Sequence, residues 1–493
     1  MAFLDRLFRR KQELNSDTPV NERRALELIG KGNLLEDGGE PAKALVLYDT
    51  ATRLAPGLAR GHLNRGNALV ACENFKGAIE AFSKALEIDP HYAGAHFNLG
   101  NTYMRLGKLE LAREAYTSAL KVVPEYTDAE VALGAVLEDL RQFESACSHY
   151  RRALELQPSY VQVHCNLGNS LKKLNRFEEA LTSYRHAIEL DPNYVDAHNN
   201  MATVLQDLGR LEEAKSSYLR ALELKPDSVD TQGNLLFVLN YDEPDPCCSA
   251  LAHARRFDEL VARNAAPYTH WDVSPHADRC LRVGFVSGDF REHPVGFFLE
   301  NALGALVKRS AGRLQCVAYS NHAFEDAITQ RLRSNFQLWR SCVGLSDAAL
   351  AKQIYDDAVD ILIDLSGHTA SNRLPVFAFR PAPVQVSWLG YFGTTGVQAM
   401  DYLLADPWTL PLSDECNFTE KIWRLPETRL CFTPPALNID VSKLPALDNG
   451  YVTFGCFNNL TKMVGPVVAL WSAVLRAVPE SRLFLKSPQL NEP

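Results

Sequence analysis

The eleven cysteines contain no CxxC spacing, and Cys247-Cys248 is the only adjacent pair. That lack sets aside a zinc ribbon or a dithiol redox centre and fits reduced thiols in a cytoplasmic compartment. A long apolar run is missing too. The start, MAFLDRLFRRKQEL, interrupts its apolar residues with charges every few positions, so it has no signal-peptide core. Nothing later is long and apolar enough to span a bilayer. Residues 1–22 read instead as an amphipathic N-terminal arm. Positive charge is in deficit: 51 Lys and Arg against 60 Asp and Glu give a net charge of -9. This argues against wholesale binding to nucleic acid or an anionic membrane. An apolar content of 46% and a charged content of 23% are ordinary for a globular chain. With 493 residues, more than one core is expected.

What the first half does have is a period. Prolines fall at 56, 90, 124, 158, 192 and 226, each 34 residues after the last. The same step relates Ala44, Ala78, Ala112, Ala146, Ala180 and Ala214, and the aromatics Tyr48, Phe82, Tyr116, Tyr150, Tyr184 and Tyr218. A small residue recurs at Gly32, Gly66, Gly100, Gly134, Gly168 and Ala202. This is the tetratricopeptide phase: small residues let two helices approach, the aromatic fills the seam, and proline ends the second helix. Six repeats and an atypical capping helix are expected over 23–240, stacked as an α-solenoid with a concave surface.

Asparagines Asn64, Asn98, Asn166, Asn200 and Asn234 lie on the same step, with Ala132 at the missing place. Asn67, Asn101 and Asn169 follow three residues later on the same helical face. Asparagine is a mediocre helix former, so propensity does not favour it inside successive helices. A carboxamide offers a donor and an acceptor, which matches a peptide backbone. The spacing therefore reads as a ladder for an extended polypeptide; solvated polar filler is the plainer alternative.

After a linker over 241–280 the pattern changes to strands alternating with helices: LRVGFVSGDF (281–290), LQCVAYS (314–320), VDILIDL (359–365), APVQVSW (382–388) and MDYLLAD (400–406). Such a chain implies a largely parallel sheet with helices on both faces and ligands at the carboxyl ends of its strands. His293, His368 and the loop 390–396, which contains Thr394, all follow strand ends. Each also has a plain reading as a surface histidine or a turn. A last strand–helix–strand unit begins at about 449, and its loop, FNNLTKM (457–463), places Lys462 just before a helix start. A cation there is unfavourable against the helix dipole unless an anion occupies that end. One such unit is too little to close a lobe, so a continuation beyond Pro493 is expected.

The motifs VGFVSGDFREHPVGFF, DILIDLSGHTASNR, RPAPVQVSWLGYFGTTG and FGCFNNLTKM, joined to tetratricopeptide repeats, resemble the nucleotide-sugar-dependent protein O-glycosyltransferases, of the bacterial O-GlcNAc transferase and plant SPINDLY types. The resemblance implies a Rossmann-like, two-lobed (GT-B type) fold, with the first lobe over 281–440 and an incomplete second lobe over 449–493. It implies transfer of a sugar from UDP-GlcNAc, or GDP-fucose as the alternative, to Ser/Thr hydroxyls of intracellular proteins, with neither metal nor cofactor. A non-catalytic scaffold is the rival reading. By the same resemblance His293 and Lys462 are catalytic, Asn459, Lys462, Thr394 and His368 bind the donor, and Asn64, Asn98, Asn166, Asn200 and Asn234 hold the acceptor. One departure is Phe392, where the family's loop has proline.

Overall fold

A computed structural model describes residues 19–241, 249–271, 279–434, 440, 442–487 and 490. Most of the N-terminal arm and the Cys247-Cys248 pair lie outside them. The chain divides into two compact units, Met1–Asn200 and Met201–Asn491.

In the first unit paired helices alternate without a strand among the described residues. The second helices of successive pairs are Pro41–Leu54, Phe75–Ile88, Leu109–Val122, Phe143–Leu156 and Phe177–Leu190. Each ends two residues before its periodic proline, which has no N–H with which to continue the helix. The seam explains the small residues. A Cβ placed on Gly32, Gly66, Gly100, Gly134 or Gly168 would come within 2.4, 2.3, 2.6, 2.5 or 2.5 Å of the ring of Tyr48, Phe82, Tyr116, Tyr150 or Tyr184. All five rings are buried. Gly100→Ala is therefore expected to cost about 1–3 kcal/mol as Tyr116 is driven off its seat. Urea unfolding that finds the variant as stable as the parent would discard this account of the seam.

A further periodic bond ties the turns between pairs. His62, His96, His164 and His198 donate through Nε2 to the carbonyls of Pro56, Pro90, Pro158 and Pro192 at 3.1, 3.0, 2.9 and 3.0 Å. Each satisfies a turn carbonyl that the helix ladder does not reach. Glu130 occupies the corresponding place in the fourth repeat and pairs with His149 Nδ1 at 2.6 Å.

The second unit is built on a seven-stranded sheet. Its strands are β1 (Leu281–Ser287), β2 (Leu314–Ser320), β3 (Leu338–Ser341), β4 (Ile361–Asp364), β5 (Val384–Ser387), β6 (Tyr402–Ala405) and β7 (Lys421–Arg424). Every pairing is parallel, and the order is β3-β2-β1-β4-β5-β6-β7. Strand alternation sends Cys316 and Ala318 to one face with Phe285, Leu299 and Leu303. It sends Val317 and Tyr319 to the other with Leu350 and Ile354. Helices Val229–Leu239 and Ser249–Ala262 bury Leu236, Ala254 and Phe257 in that second cluster. The helix expected to cap the repeats thus shares its core with the sheet.

Strands β8 (Thr453–Cys456) and β9 (Arg482–Leu485) form a separate parallel pair, joined through helix Gly465–Ala477. Among the described residues no helix is long and apolar enough to cross a membrane.

Candidate functional site

The strand order reverses between β1 and β4, and open parallel sheets hold ligands at such a point, beyond the carboxyl ends of the strands. Three loops meet there: 288–293 after β1, 365–373 after β4 and 388–396 after β5. Their backbones touch. A Cβ on Gly390 would lie 2.1 Å from the Leu365 carbonyl oxygen, and one on Gly367, whose φ is +56°, would lie 2.2 Å from Tyr391 Cβ. Only glycine fits at either position.

His293 is the N-cap of helix Pro294–Ser310, and its Nδ1 accepts the Val295 N–H at 3.3 Å. The same nitrogen stands 3.6 Å from Asp289 Oδ1, a carboxylate that is itself buried. These neighbours select opposite tautomers: Val295 needs a lone pair on Nδ1, and Asp289 needs a proton there. Burial lowers the imidazole pKa, and the Asp289 charge acts against that shift. The side chain remains partly open to solvent.

His368 departs from the expectation of a crevice-facing side chain. Only 3% exposed, it lies beneath the β5 loop and donates through Nε2 to the Thr395 carbonyl at 2.9 Å. Its ring packs edge-on against Phe257 and Tyr391, with centroids 4.6 and 5.3 Å away, and Nδ1 has no hydrogen-bond partner among the described residues. Thr394 is likewise turned inward. Its Oγ1 donates to Glu420 Oε2 at 2.8 Å, while the Thr395 N–H and hydroxyl reach Glu420 Oε1 at 2.7 and 2.5 Å. Tyr391 completes the anchoring: its hydroxyl takes a bond from Asn240 Nδ2 at 2.5 Å. His368, Thr394, Glu420 and Tyr391 therefore fix the loop's shape from below, and Phe392 emerges from it 45% exposed.

Burial without charge compensation depresses the His368 pKa to about 4, from 6.5. The unfolded chain then binds a proton that the folded one refuses, so this contribution is present above pH 6.5 and lost as pH falls toward 4; it amounts to about 3 kcal/mol. Asp364 has the opposite sign. Buried beneath the β4 loop, where it accepts the Ser366 and Gly367 N–H groups, it is raised to about 6. The fold therefore gains from its protonation as pH falls through 6. In the parent the two oppose each other. His368→Gln keeps a donor for Thr395 but cannot titrate, so the variant is expected to gain stability relative to the parent between about pH 7 and about pH 4.5. Identical pH profiles for the two proteins in urea unfolding would refute the assignment.

Lys462 ends a short 3-10 turn, Leu460–Lys462, after β8, and helix Gly465–Ala477 begins three residues later. Its ammonium is exposed and makes no ion pair among the described residues. Asn459, also exposed, is the N-cap position of that turn and makes no side-chain capping bond.

In the first unit a groove of about 1060 Å³ is lined by Asn33, Asn64, Asn67, Asn98 and Asn101 among others. The amides are not simply solvated. Asn64, Asn98 and Asn200 each donate through Nδ2 to the Oδ1 of an asparagine 31 residues earlier, Asn33, Asn67 and Asn169, at 2.8, 2.8 and 3.0 Å. The hydroxyls of Tyr48, Tyr116 and Tyr184 donate to Asn33, Asn101 and Asn169 as well. Among the described residues Asn64 and Asn98 thus each retain one N–H and the side-chain oxygen for another partner, whereas Asn200 Oδ1 already accepts from Asn199 Nδ2 at 3.3 Å. At the fourth repeat both places hold alanine, Ala132 and Ala135, so Asn101 has no Asn donor and Asn166 no Asn acceptor. Asn234 lies in the second unit, on helix Val229–Leu239.

Sequence reasoning did not single out Asp289, Glu420 or Asn240. Asp289 had a local signal, an acid directly after a strand-ending glycine. The other two reach their partners only through the folded chain.

The chain is thus a tetratricopeptide-type helical array followed by a parallel α/β domain with loops gathered at its strand reversal, the class of a repeat-bearing α/β protein. The profile of glycosyl transferase family 41 matches residues 226–432, and tetratricopeptide profiles match 66–107, 97–161, 149–182, 168–209 and 195–228. A solved mutant O-GlcNAc transferase from Thermobaculum terrenum is 34% identical, with a TM-score of 0.67 over 74% of this chain and 69% of that one. The probable UDP-N-acetylglucosamine-peptide N-acetylglucosaminyltransferase SPINDLY of Solanum lycopersicum is 40% identical over 236 residues, 47% of this chain. That match spans 25% of the tomato protein's length. The Caenorhabditis elegans UDP-N-acetylglucosamine-peptide N-acetylglucosaminyltransferase is 34% identical over 160 residues, 31% of this chain and 14% of its own. The chain belongs to the tetratricopeptide-repeat O-GlcNAc transferase and SPINDLY family.

Proposed function

We propose that this chain serves a cytoplasmic protein O-glycosyltransferase that moves N-acetylglucosamine from UDP-GlcNAc to Ser/Thr hydroxyls of intracellular proteins. The acceptor lies extended along the asparagine groove. The seven-stranded sheet, to about residue 440, is the first Rossmann-like lobe of a two-lobed fold, and the β8–β9 unit begins the second. The observation that carries this reading is the meeting of the β1, β4 and β5 loops at the strand reversal, with a partly exposed histidine among them. Breaking a glycosyl–phosphate bond builds positive charge on the sugar and negative charge on the departing diphosphate. Lys462 and the N–H groups at the start of the helix after it are suited to that negative charge. When Nδ1–H of His293 turns to Asp289, Nε2 is bare and accepts the proton of the attacking hydroxyl. His368 and Thr394 hold the β5 loop in shape.

The test is incubation of the full-length protein with UDP-GlcNAc or GDP-fucose and an unfolded Ser/Thr-bearing segment, followed by intact-mass analysis. Addition of one N-acetylhexosamine supports the reading, and addition of one deoxyhexose replaces the donor with the fucosyl alternative. No transfer from either, with the segment still bound, leaves a scaffold. For His293 the informative change is His293→Asn, because asparagine caps a helix as well as any residue but is no base. It is expected to keep the thermal midpoint and lose about 100- to 10,000-fold in turnover. Asp289→Asn, which withdraws the partner of Nδ1–H, is expected to lower kcat about tenfold or more and shift its pH profile, with KM for the donor little changed. A His293→Asn protein that transfers normally would reduce His293 to a cap.

A further inference from the structure

The turn inside each repeat places one residue in the left-handed region, on the 34-residue step: Gly39, Glu73, Gly107, Arg141, Asn175 and Gly209, with φ of 78, 59, 67, 60, 59 and 74°. Three of the six are not glycine, so the backbone conformation alone does not demand it. At Gly39 and Gly107 an added Cβ would meet nothing within 4 Å among the described residues. Gly209 differs. A Cβ there would stand 2.8 Å from the Leu460 carbonyl oxygen and 3.1 Å from its carbon. Beside this contact Thr461, only 3% exposed, donates through Oγ1 to the Gln206 carbonyl at 2.8 Å. Gln206 O already accepts the Gly209 N–H of the same turn at 3.0 Å. A cavity of about 280 Å³ adjoins the contact, lined by Gly209, Leu211 and Lys215 on one side and Met463, Val464 and Pro466 on the other. The turn of the sixth repeat is thus seated on the loop that carries Asn459 and Lys462, and it is the only one of the six whose glycine is required by a neighbour.

We infer that Gly209 and Thr461 are positioning residues: the sixth-repeat turn holds the 459–465 loop, and so sets where Lys462 stands. The inference rests on the proposed role of that loop at the donor diphosphate. It deepens that role by making the last repeat a structural part of the donor site as well as a continuation of the array. The 3-10 turn Leu460–Lys462 is short, closed by the Lys462 N–H to Asn459 O and the Met463 N–H to Leu460 O. A segment with so few internal bonds needs an outside support to keep one geometry.

The native series supplies the variants. Gly209→Asn places at 209 the residue that position 175 already carries in the same conformation, so the repeat turn is kept while the side chain is driven against Leu460. Gly107→Asn makes the same change where nothing stands opposite. Thr461→Val removes the hydroxyl at nearly constant volume. In the full-length protein, amide hydrogen exchange over 459–464 is expected to speed up about tenfold or more in Gly209→Asn and by a smaller factor in Thr461→Val, with Gly107→Asn like the parent. UDP and GDP titrations measured on the same samples are expected to show weaker binding of the accepted nucleotide in the first two variants only. Exchange over 459–464 that is unchanged in both Gly209→Asn and Thr461→Val overturns the inference. Faster exchange with nucleotide affinity intact upholds the seating of the loop and removes the loop from the donor site, so the two readings fail separately.

Discussion

On the proposed function, replacing Lys462 by alanine is expected to lower turnover by about 30- to 1000-fold, or roughly 2–4 kcal/mol of transition-state stabilisation. The ammonium is exposed and unpaired among the described residues, and it precedes the start of helix Gly465–Ala477. A structural lysine is more often found along a helix flank or near its carboxyl end, where the dipole favours it. At an amino end it meets the positive pole, and an anion between them turns both into attraction. If Lys462 meets the donor diphosphate as proposed, the contact strengthens along the reaction, because charge there grows as the glycosyl bond breaks. The loss should therefore fall on kcat more than on KM for the donor. Lys462→Arg, which keeps the charge in a different geometry, should recover part of the rate. Turnover in Lys462→Ala equal to the parent's would remove the residue from the site. Since the ammonium makes no ion pair or hydrogen bond among the described residues, a change in stability is not expected to confuse the result.

Much of this architecture is readable before any coordinate, because a solenoid repeats its own instructions. The seam pairs from Gly32–Tyr48 to Gly168–Tyr184 recur at one step, and each is a local requirement of two packed helices. The sheet is less legible at its margins. The two strands that the apolar pattern does not announce, β3 (LWRS) and β7 (KIWR), are the two edges of the sheet. An edge strand is paired and covered on fewer sides, so charged residues are tolerated and the apolar run that marks β1 or β2 is absent. The site divides in the same way. His293 and Lys462 are candidates legible by position, and the structure places them where the pattern does, after a strand and before a helix. His368 is found by the same rule but faces inward, because which way a loop histidine turns depends on Phe257 and Tyr391, which are distant in sequence. The histidine bonds to the proline carbonyls were also present as a 34-residue period, hidden by Glu130 at the fourth place.

The largest binding effect is expected from the asparagine ladder. If it holds extended polypeptide by backbone pairing, affinity depends on several amides at once and little on acceptor sequence. A neutral hydrogen bond contributes only about 0.5–1.5 kcal/mol net, so one Asn→Ala change is nearly silent. Asn64, Asn98, Asn166 and Asn200 replaced together are expected to weaken binding of an unfolded acceptor segment by about 100-fold or more. The pairing seen between Asn64 and Asn33, Asn98 and Asn67, and Asn200 and Asn169 adds a condition, since the same changes remove three bonds between repeats. Thermal unfolding must accompany the titration. The fourth repeat, with Ala132 and Ala135 in both places, shows that the helices pack without such a pair. Ala132→Asn supplies the complementary arm. Its amide would stand 31 residues after Asn101, the spacing of the existing pairs, and should find Asn101 Oδ1 as an acceptor. The variant is expected to gain about 0.5–1.5 kcal/mol of stability and to bind the segment slightly more tightly, because a new amide then faces the groove. Transfer to a peptide too short to enter the groove should be untouched by the quadruple change. A folded quadruple variant that binds the unfolded segment as tightly as the parent would leave the asparagines as bonds between repeats and nothing more.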